Sequence, residues 1–235
     1  MRPSLPLLVI TTLLFPAFLR AQSPPQPDTD FDSSVAVHDR LHINELPIYN
    51  GRKHLGYLRT IIGTAYYRTE EWQPGSVLYE GTWYPGLYFK YDLTTDNLIL
   101  QGISGIGSVM VKSRIAEFWM GGRHFVRNHL EIRNSPGFYE VLAEGRITLI
   151  AFHKKVLEEK ILDREIERSF IGTTHYFAIT EKGIIPIRRQ KDLTRLLGDK
   201  RSASIASRKS KGLNYKQDPE AVLTHHAQFY NKSAR

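Results

Sequence analysis

The residues of this 235-residue chain whose types and spacing could do chemistry form few groups. His38 and His42 stand four apart, which on a helix would place both imidazoles on one face, with Glu45 as a third metal ligand. Pro47 and the proline-rich stretch before Val35 oppose a helix there, so no metal site is expected. His225 and His226 are adjacent, and helical neighbours diverge by about 100°. His226 falls on an apolar stripe and reads as a packing residue. The run Gln101 to Val109, QGISGIGSV, has the glycines of a phosphate loop. It lacks the Lys-Ser/Thr pair and a surrounding βαβ unit. Ser104 is followed directly by Gly105, so the nucleophile elbow is missed as well. The run reads as an inter-strand connection. Glu70, Glu71 and Glu140 cannot be told apart as acid and base, because a carboxylate separation of about 5 to 10 Å is set only by folding. No catalytic residue and no cofactor are assigned, and the chain leans away from enzymes.

Two surfaces could bind. Trp72, Trp83, Tyr84 and Tyr88 cluster within seventeen residues. Alternation along a strand turns Tyr88 and one of Trp83 and Tyr84 outward. Trp83 and Tyr88 are therefore the candidates for stacking on a sugar or another ligand, the competing reading being that these rings fill the core. The second surface is basic. On a helix from Asp199, Lys200, Arg201, Arg208 and Lys211 fall within about 100° of arc. Such a stripe suits an anionic envelope component (lipid headgroup, lipopolysaccharide or acidic polysaccharide) or an envelope protein. A solvated face that balances an acidic body is the alternative.

The elements that position these residues follow from composition and punctuation. Hydrophobic residues make up 41% and charged residues 24%, a globular balance, and aromatics reach 11%, which suits a β-rich core. Cysteine is absent, which excludes disulfides, Cys-ligated zinc, iron–sulfur clusters and a thiol nucleophile. Residues 1–21 carry Arg2, an apolar run from Leu5 to Leu19 and a small Ala21, as a secretory signal peptide does. The apolar run is short for a span of about 20 residues, so no transmembrane segment is expected in the mature chain. Residues 22–34 read as a flexible lead-in. Export places the chain in the periplasm or outside the cell, peripheral to the outer membrane, and makes nucleic acid an unlikely partner. The net charge is +8, yet Lys182 to Arg235 holds thirteen Lys and Arg against four acids.

Residues 35–189 repeat one grammar: short apolar runs closed by two-residue turns with glycine. Five hairpins are expected, turning at Glu80-Gly81, Leu93–Asp96, Gly121-Gly122, Glu144-Gly145 and Lys182-Gly183. Counting outward from Gly121-Gly122 pairs Phe118 with Phe125 and Trp119 with His124. From Glu144-Gly145 it pairs Leu142 with Ile147 and Tyr139 with Ile150. Pro186 marks the last strand as an edge. Val156 to Phe170 reads as a short helix, because Leu162, Ile166 and Phe170 recur every four residues. In residues 190–235 the grammar becomes helical, with stops at Gly198 and Gly212 and a start at Asp218-Pro219-Glu220. On the last helix Val222, Leu223, His226, Phe229 and Tyr230 form a docking stripe. The expected fold is mainly β: an antiparallel meander of about ten strands forming a barrel or sandwich, with a basic helical C-terminal segment.

The stretches LPIYNGRKHLGY, EWQPGSVLYEGTWYPGLYFKYDLTTDNLIL and IERSFI…YFAITEKGIIPIRRQKDLTRLLGDKR resemble a group of uncharacterised exported β-rich proteins of Bacteroidetes-type bacteria, over roughly Leu46 to Arg201. The resemblance implies export to a Gram-negative envelope and the two-part organisation, and carries over no activity. Tyr91 to Leu100 is also similar to one hairpin of half-barrel lipoprotein carriers of the periplasm. The expectation is a non-enzymatic envelope binding protein whose basic segment contacts an anionic partner. The alternatives are a carrier or sensor of an apolar ligand held by the sheet, and a carbohydrate-binding module.

Overall fold

The computed structural model describes residues 47–233 apart from 103–104, 128–131, 133–136 and 163–164. The expected signal peptide, the lead-in and the His38, His42 and Glu45 group lie outside the described residues. Eleven strands are described: β1 (Arg52–Lys53), β2 (Gln73–Tyr79), β3 (Thr82–Asp92), β4 (Asn97–Gln101), β5 (Gly107–Val109), β6 (Ile115–Met120), β7 (Arg123–Arg127), β8 (Phe138–Ala143), β9 (Thr148–Leu162), β10 (Glu165–Thr180) and β11 (Gly183–Ile187). They form one sheet in the order β1-β5-β4-β3-β2-β6-β7-β8-β9-β10-β11, with antiparallel ladders throughout. Two meanders are thus joined where β2 pairs with β6. The ladder does not close, so the sheet is open rather than a barrel.

All five expected hairpins are present. The Gly121-Gly122 turn has φ of +57° and +73°, the left-handed pair that a two-residue turn of this hand requires. It sets Phe118 opposite Phe125 and Trp119 opposite His124, as counted from the sequence. The β8–β9 register differs from the count. Glu140 pairs with Ala151 and Val141 with Ile150, and the register shifts before Ala143 pairs with Leu149. At Glu140 and Val141 the slip is two residues, so these side chains keep their faces, and past the bulge it is three. Tyr139 still packs with Ile150, and Leu142 with Ile147. Gln101 to Val109 is the β4–β5 connection, and β11, carrying Pro186, is the terminal strand.

The helix expected over Val156 to Phe170 does not form. The stretch instead belongs to the β9–β10 hairpin, where Leu157 faces Phe170 and Ile161 faces Ile166. Ile166, Arg168 and Phe170 also alternate with period two, and the ladder extended from the buried base of the hairpin outweighs the helix propensity of Glu, Lys and Arg.

The sheet curls around a core of Tyr67, Val77, Tyr91, Phe118, Phe125 and Phe138, with Phe118 and Phe125 stacked at 4.7 Å. Burying each large side chain contributes about 1.5–3 kcal/mol. Residues 62–67 line the seam of the curl. Tyr67 N–H donates to Tyr91 O, Leu93 N–H to Ala65 O, and Lys155 N–H to Leu93 O. Lys155 Nζ donates to the carbonyls of Thr64 and Tyr66 at 2.6 and 2.7 Å. The C-terminal helices are α1 (Gln190–Leu196), α2 (Arg201–Ser210) and α3 (Pro219–Ser233). Asp218 Oδ1 caps α3 by accepting from Ala221 N–H at 2.8 Å. Leu193, Leu197, Leu223 and Ala227 pack with Leu142, Leu149 and Ala178, so the helical segment shares a core with the sheet. Among the described residues no helix is long and apolar enough to cross a membrane.

Candidate functional site

Polar groups converge around Glu140, in the middle of β8. The run FYEVLA alternates, and Glu140 shares its inward face with Phe138. A carboxylate there must be partnered, because an unpaired buried charge is prohibitively costly. Glu140 is completely buried and accepts from Tyr67 Oη at 2.8 Å, Arg123 Nη1 at 2.5 Å and His153 Nε2 at 2.7 Å. Each partner sits on a different element: the seam segment, β7 and β9. Burial alone would raise the Glu140 carboxyl; the hydrogen bond and charge of His153, with Tyr67 and Arg123, outweigh it and hold it below its ordinary value. Burial, reinforced by Glu140, pushes the Tyr67 hydroxyl up.

The network continues into α3. Arg123 Nη1 also donates to Glu220 Oε1 at 2.8 Å, and Arg68 Nη2 donates to the same oxygen at 2.7 Å. Arg68 has φ +61°, a left-handed conformation that costs about 1–2 kcal/mol for a residue with a Cβ. Consecutive side chains thereby reach two carboxylates, Tyr67 to Glu140 and Arg68 to Glu220. Glu140, His153 and Glu220 bring three metal-ligating atoms within 4.8 Å of one another. The Arg123 guanidinium, however, already gives positive charge to both carboxylates, and His153 Nε2 carries the hydrogen that Glu140 accepts. A general acid would need a carboxyl held above its ordinary value. The Glu140 set is an ion-pair network that ties sheet to helix.

Beside this network a cleft of about 1340 Å³ runs round the β6–β7 turn to α3. Its walls include Trp83, Trp119, His124, Arg123, Glu220 and Lys211. His124 lies flat on Trp119, with centroids 4.5 Å apart and planes 2° from parallel. Its Nε2 donates to Glu117 Oε2 at 2.6 Å, and its Nδ1 stands 3.8 Å from Glu144 Oε1. The arrangement presents aromatic faces next to hydrogen-bonding carboxylates and cations, which suits a hydroxyl-rich or charged ligand.

The structure separates the two predicted surfaces and reassembles parts of them. Trp83 is half-buried in the cleft wall, whereas Tyr88 is half exposed elsewhere on β3. Their partners on β2, Leu78 and Pro74, are four residues apart, so the two backbone positions are about 13 Å apart along the strand. Lys200 lies in the turn before α2, 3.8 Å from Asp199, and Arg201 opens the helix exposed. Arg208 is half-buried and donates to Leu213 O at 2.5 Å, while Lys211 faces the cleft. One residue of each set, Trp83 and Lys211, therefore lines the same cleft. His226 is a fully buried packing residue, with Nε2 2.9 Å from Gln190 Nε2 and Nδ1 2.6 Å from Ser204 Oγ. Sequence reasoning missed Arg68, Arg123, Trp119 and His124. Glu140 had a usable signal, a charge at an inward strand position.

Fold and site define an open antiparallel sheet with a docked helical segment and a tryptophan-walled, charged cleft between them. No protein-family model, curated protein or solved structure matches the chain.

Proposed function

We propose that this protein is an exported, non-enzymatic binding protein whose cleft takes an acidic saccharide of the cell envelope. One observation carries the reading: Trp83, Trp119 and Lys211 line one cleft. Tryptophan faces stack on the apolar face of a sugar ring, carboxylates accept from its hydroxyls, and a lysine at the wall attracts its acid groups. Export rests on the character of residues 1–21 and on the resemblance described above. The core rings that pack inside the curl favour this reading over an apolar ligand held within the sheet.

Titration of oligogalacturonate against a neutral maltooligosaccharide, followed by tryptophan fluorescence and calorimetry, tests it. The acidic oligomer should bind more tightly and weaken with salt. Trp83→Ala should lose about tenfold in affinity, and Tyr88→Ala should lose none. Absence of any fluorescence or heat change with both sugars would refute the proposal.

A further inference from the structure

Past the main sheet, β9 and β10 run on as an arm that is two-stranded apart from Ile62, which exchanges main-chain hydrogen bonds with Arg168 and Phe170 on the β10 edge. β8 last pairs with β9 at Ala151, while the β9–β10 ladder reaches Leu162 and Glu165, roughly 36 Å further. On one face the register sets Leu157 beside Phe170, Glu159 beside Arg168, and Ile161 beside Ile166. Arg168 Nε donates to Glu159 Oε1 at 2.7 Å. Ile161 is 79% exposed and Ile166 56%, large apolar side chains on a ribbon that two strands alone do not stabilise well. Among the described residues the outer edge of β9 beyond Lys155 is also open. Lys155 N–H points across that edge to Leu93 O, so the main-chain groups of 157, 159 and 161 point the same way, beyond the seam.

We infer that this edge pairs with its own copy, so that two arms form a continuous four-stranded antiparallel sheet, β10-β9-β9-β10, about a two-fold axis at Glu159. The register follows from the side chains. Centred there, Leu157 faces the partner's Ile161 and Glu158 faces the partner's Lys160, and by symmetry each pair occurs twice. On one face the four strands carry the row Phe170, Leu157, the partner's Ile161 and the partner's Ile166, repeated on the other side of the axis. Between these apolar rows the two Glu159 carboxylates meet, each already held by its own Arg168. About six main-chain hydrogen bonds satisfy the open edge. A centre at Lys160 instead sets lysine on lysine without an ion pair such as the one Arg168 gives Glu159, and one at Leu157 collides with the Leu93 contact. Along the described arm Lys154, Lys155, Lys160 and Arg168 balance Glu158, Glu159, Glu165 and Glu167, so no net charge repels a like copy.

Light scattering and sedimentation of the full chain test this. A dimer that dissociates on dilution is expected. Glu158→Lys sets lysine against the partner's Lys160, and Lys160→Glu sets glutamate against the partner's Glu158. Each variant alone should weaken the dimer by about tenfold or more. Mixing the two variants should restore a heterodimer, because every facing pair is again opposite in charge, and this result cannot arise from misfolding. A monomeric mass at about 100 μM would overturn the inference. So would a dimer indifferent to both variants, or a monomer that instead cosediments with phosphatidylcholine vesicles.

Discussion

Two histidine–glutamate pairs stand on adjacent parts of the sheet with nearly equal hydrogen bonds, and their surroundings give them different work. His153 meets Glu140 at 2.7 Å on the inward face, where Tyr67 and Arg123 complete the carboxylate and Thr174 Oγ1 lies 3.1 Å from the other ring nitrogen. His124 meets Glu117 at 2.6 Å on the other face, where Glu117 is 29% exposed and the ring is stacked on Trp119 beside open space. The inward pair has both ring nitrogens and both carboxylate oxygens bonded within the fold. The outward pair keeps a ring face and a carboxylate edge available. Identical chemistry is structural in one place and ligand-facing in the other because burial, rather than residue type, decides how many partners the fold must supply.

The largest effect should come from breaking the inward pair. Glu140→Ala leaves Arg123, Tyr67 and His153 facing an empty position, and urea denaturation should show a loss of about 3–5 kcal/mol. Glu117→Ala, at the partly exposed pair, should cost less than about 1 kcal/mol in the same assay. Equal losses would erase the distinction.

A third histidine extends the comparison to a site with no carboxylate. Burial, then His225 and Arg208, lower His226 to about 4 from an ordinary 6.5. The folded state therefore prefers neutral His226. Its contribution to stability is complete above pH 6.5, declines as the unfolded chain takes up a proton, and is gone near pH 4. The loss amounts to about 3 kcal/mol. Denaturation midpoints measured across that range should fall in wild type and flatten in His226→Gln. The depressed Glu140 carboxyl acts lower on the scale: its stabilisation is present above pH 4.5 and disappears as pH falls through the folded value.

Smaller changes sharpen the contrast further. Tyr67→Phe removes one of the three donors to Glu140 and should cost about 1–2 kcal/mol, with no change in saccharide affinity. His124→Ala should change stability by less than about 1 kcal/mol yet weaken binding of the acidic oligosaccharide several-fold by calorimetry. If Tyr67→Phe weakened binding and His124→Ala did not, the roles of the two faces would be reversed.

Local residues were enough to determine the five hairpins, the edge position of β11, the facing of Phe118 and Phe125, and the α3 start at Asp218. Each depends on contacts a few residues apart: a turn that needs positive φ, a proline without a donor, a cap reaching the next turn. The arm at 156–170 was not legible, because a four-residue recurrence fits a helix face as well as a hairpin. Only the ladder extended from its buried base chose between them. The β2–β6 pairing, the seam at Leu93 and Lys155, and the meeting of Tyr67, Arg123, Glu140, His153 and Glu220 join residues up to 153 positions apart. No pattern within one strand encodes such a meeting. It arises when the sheet curls and α3 docks, and that step also put Trp83 and Lys211 on the walls of one cleft.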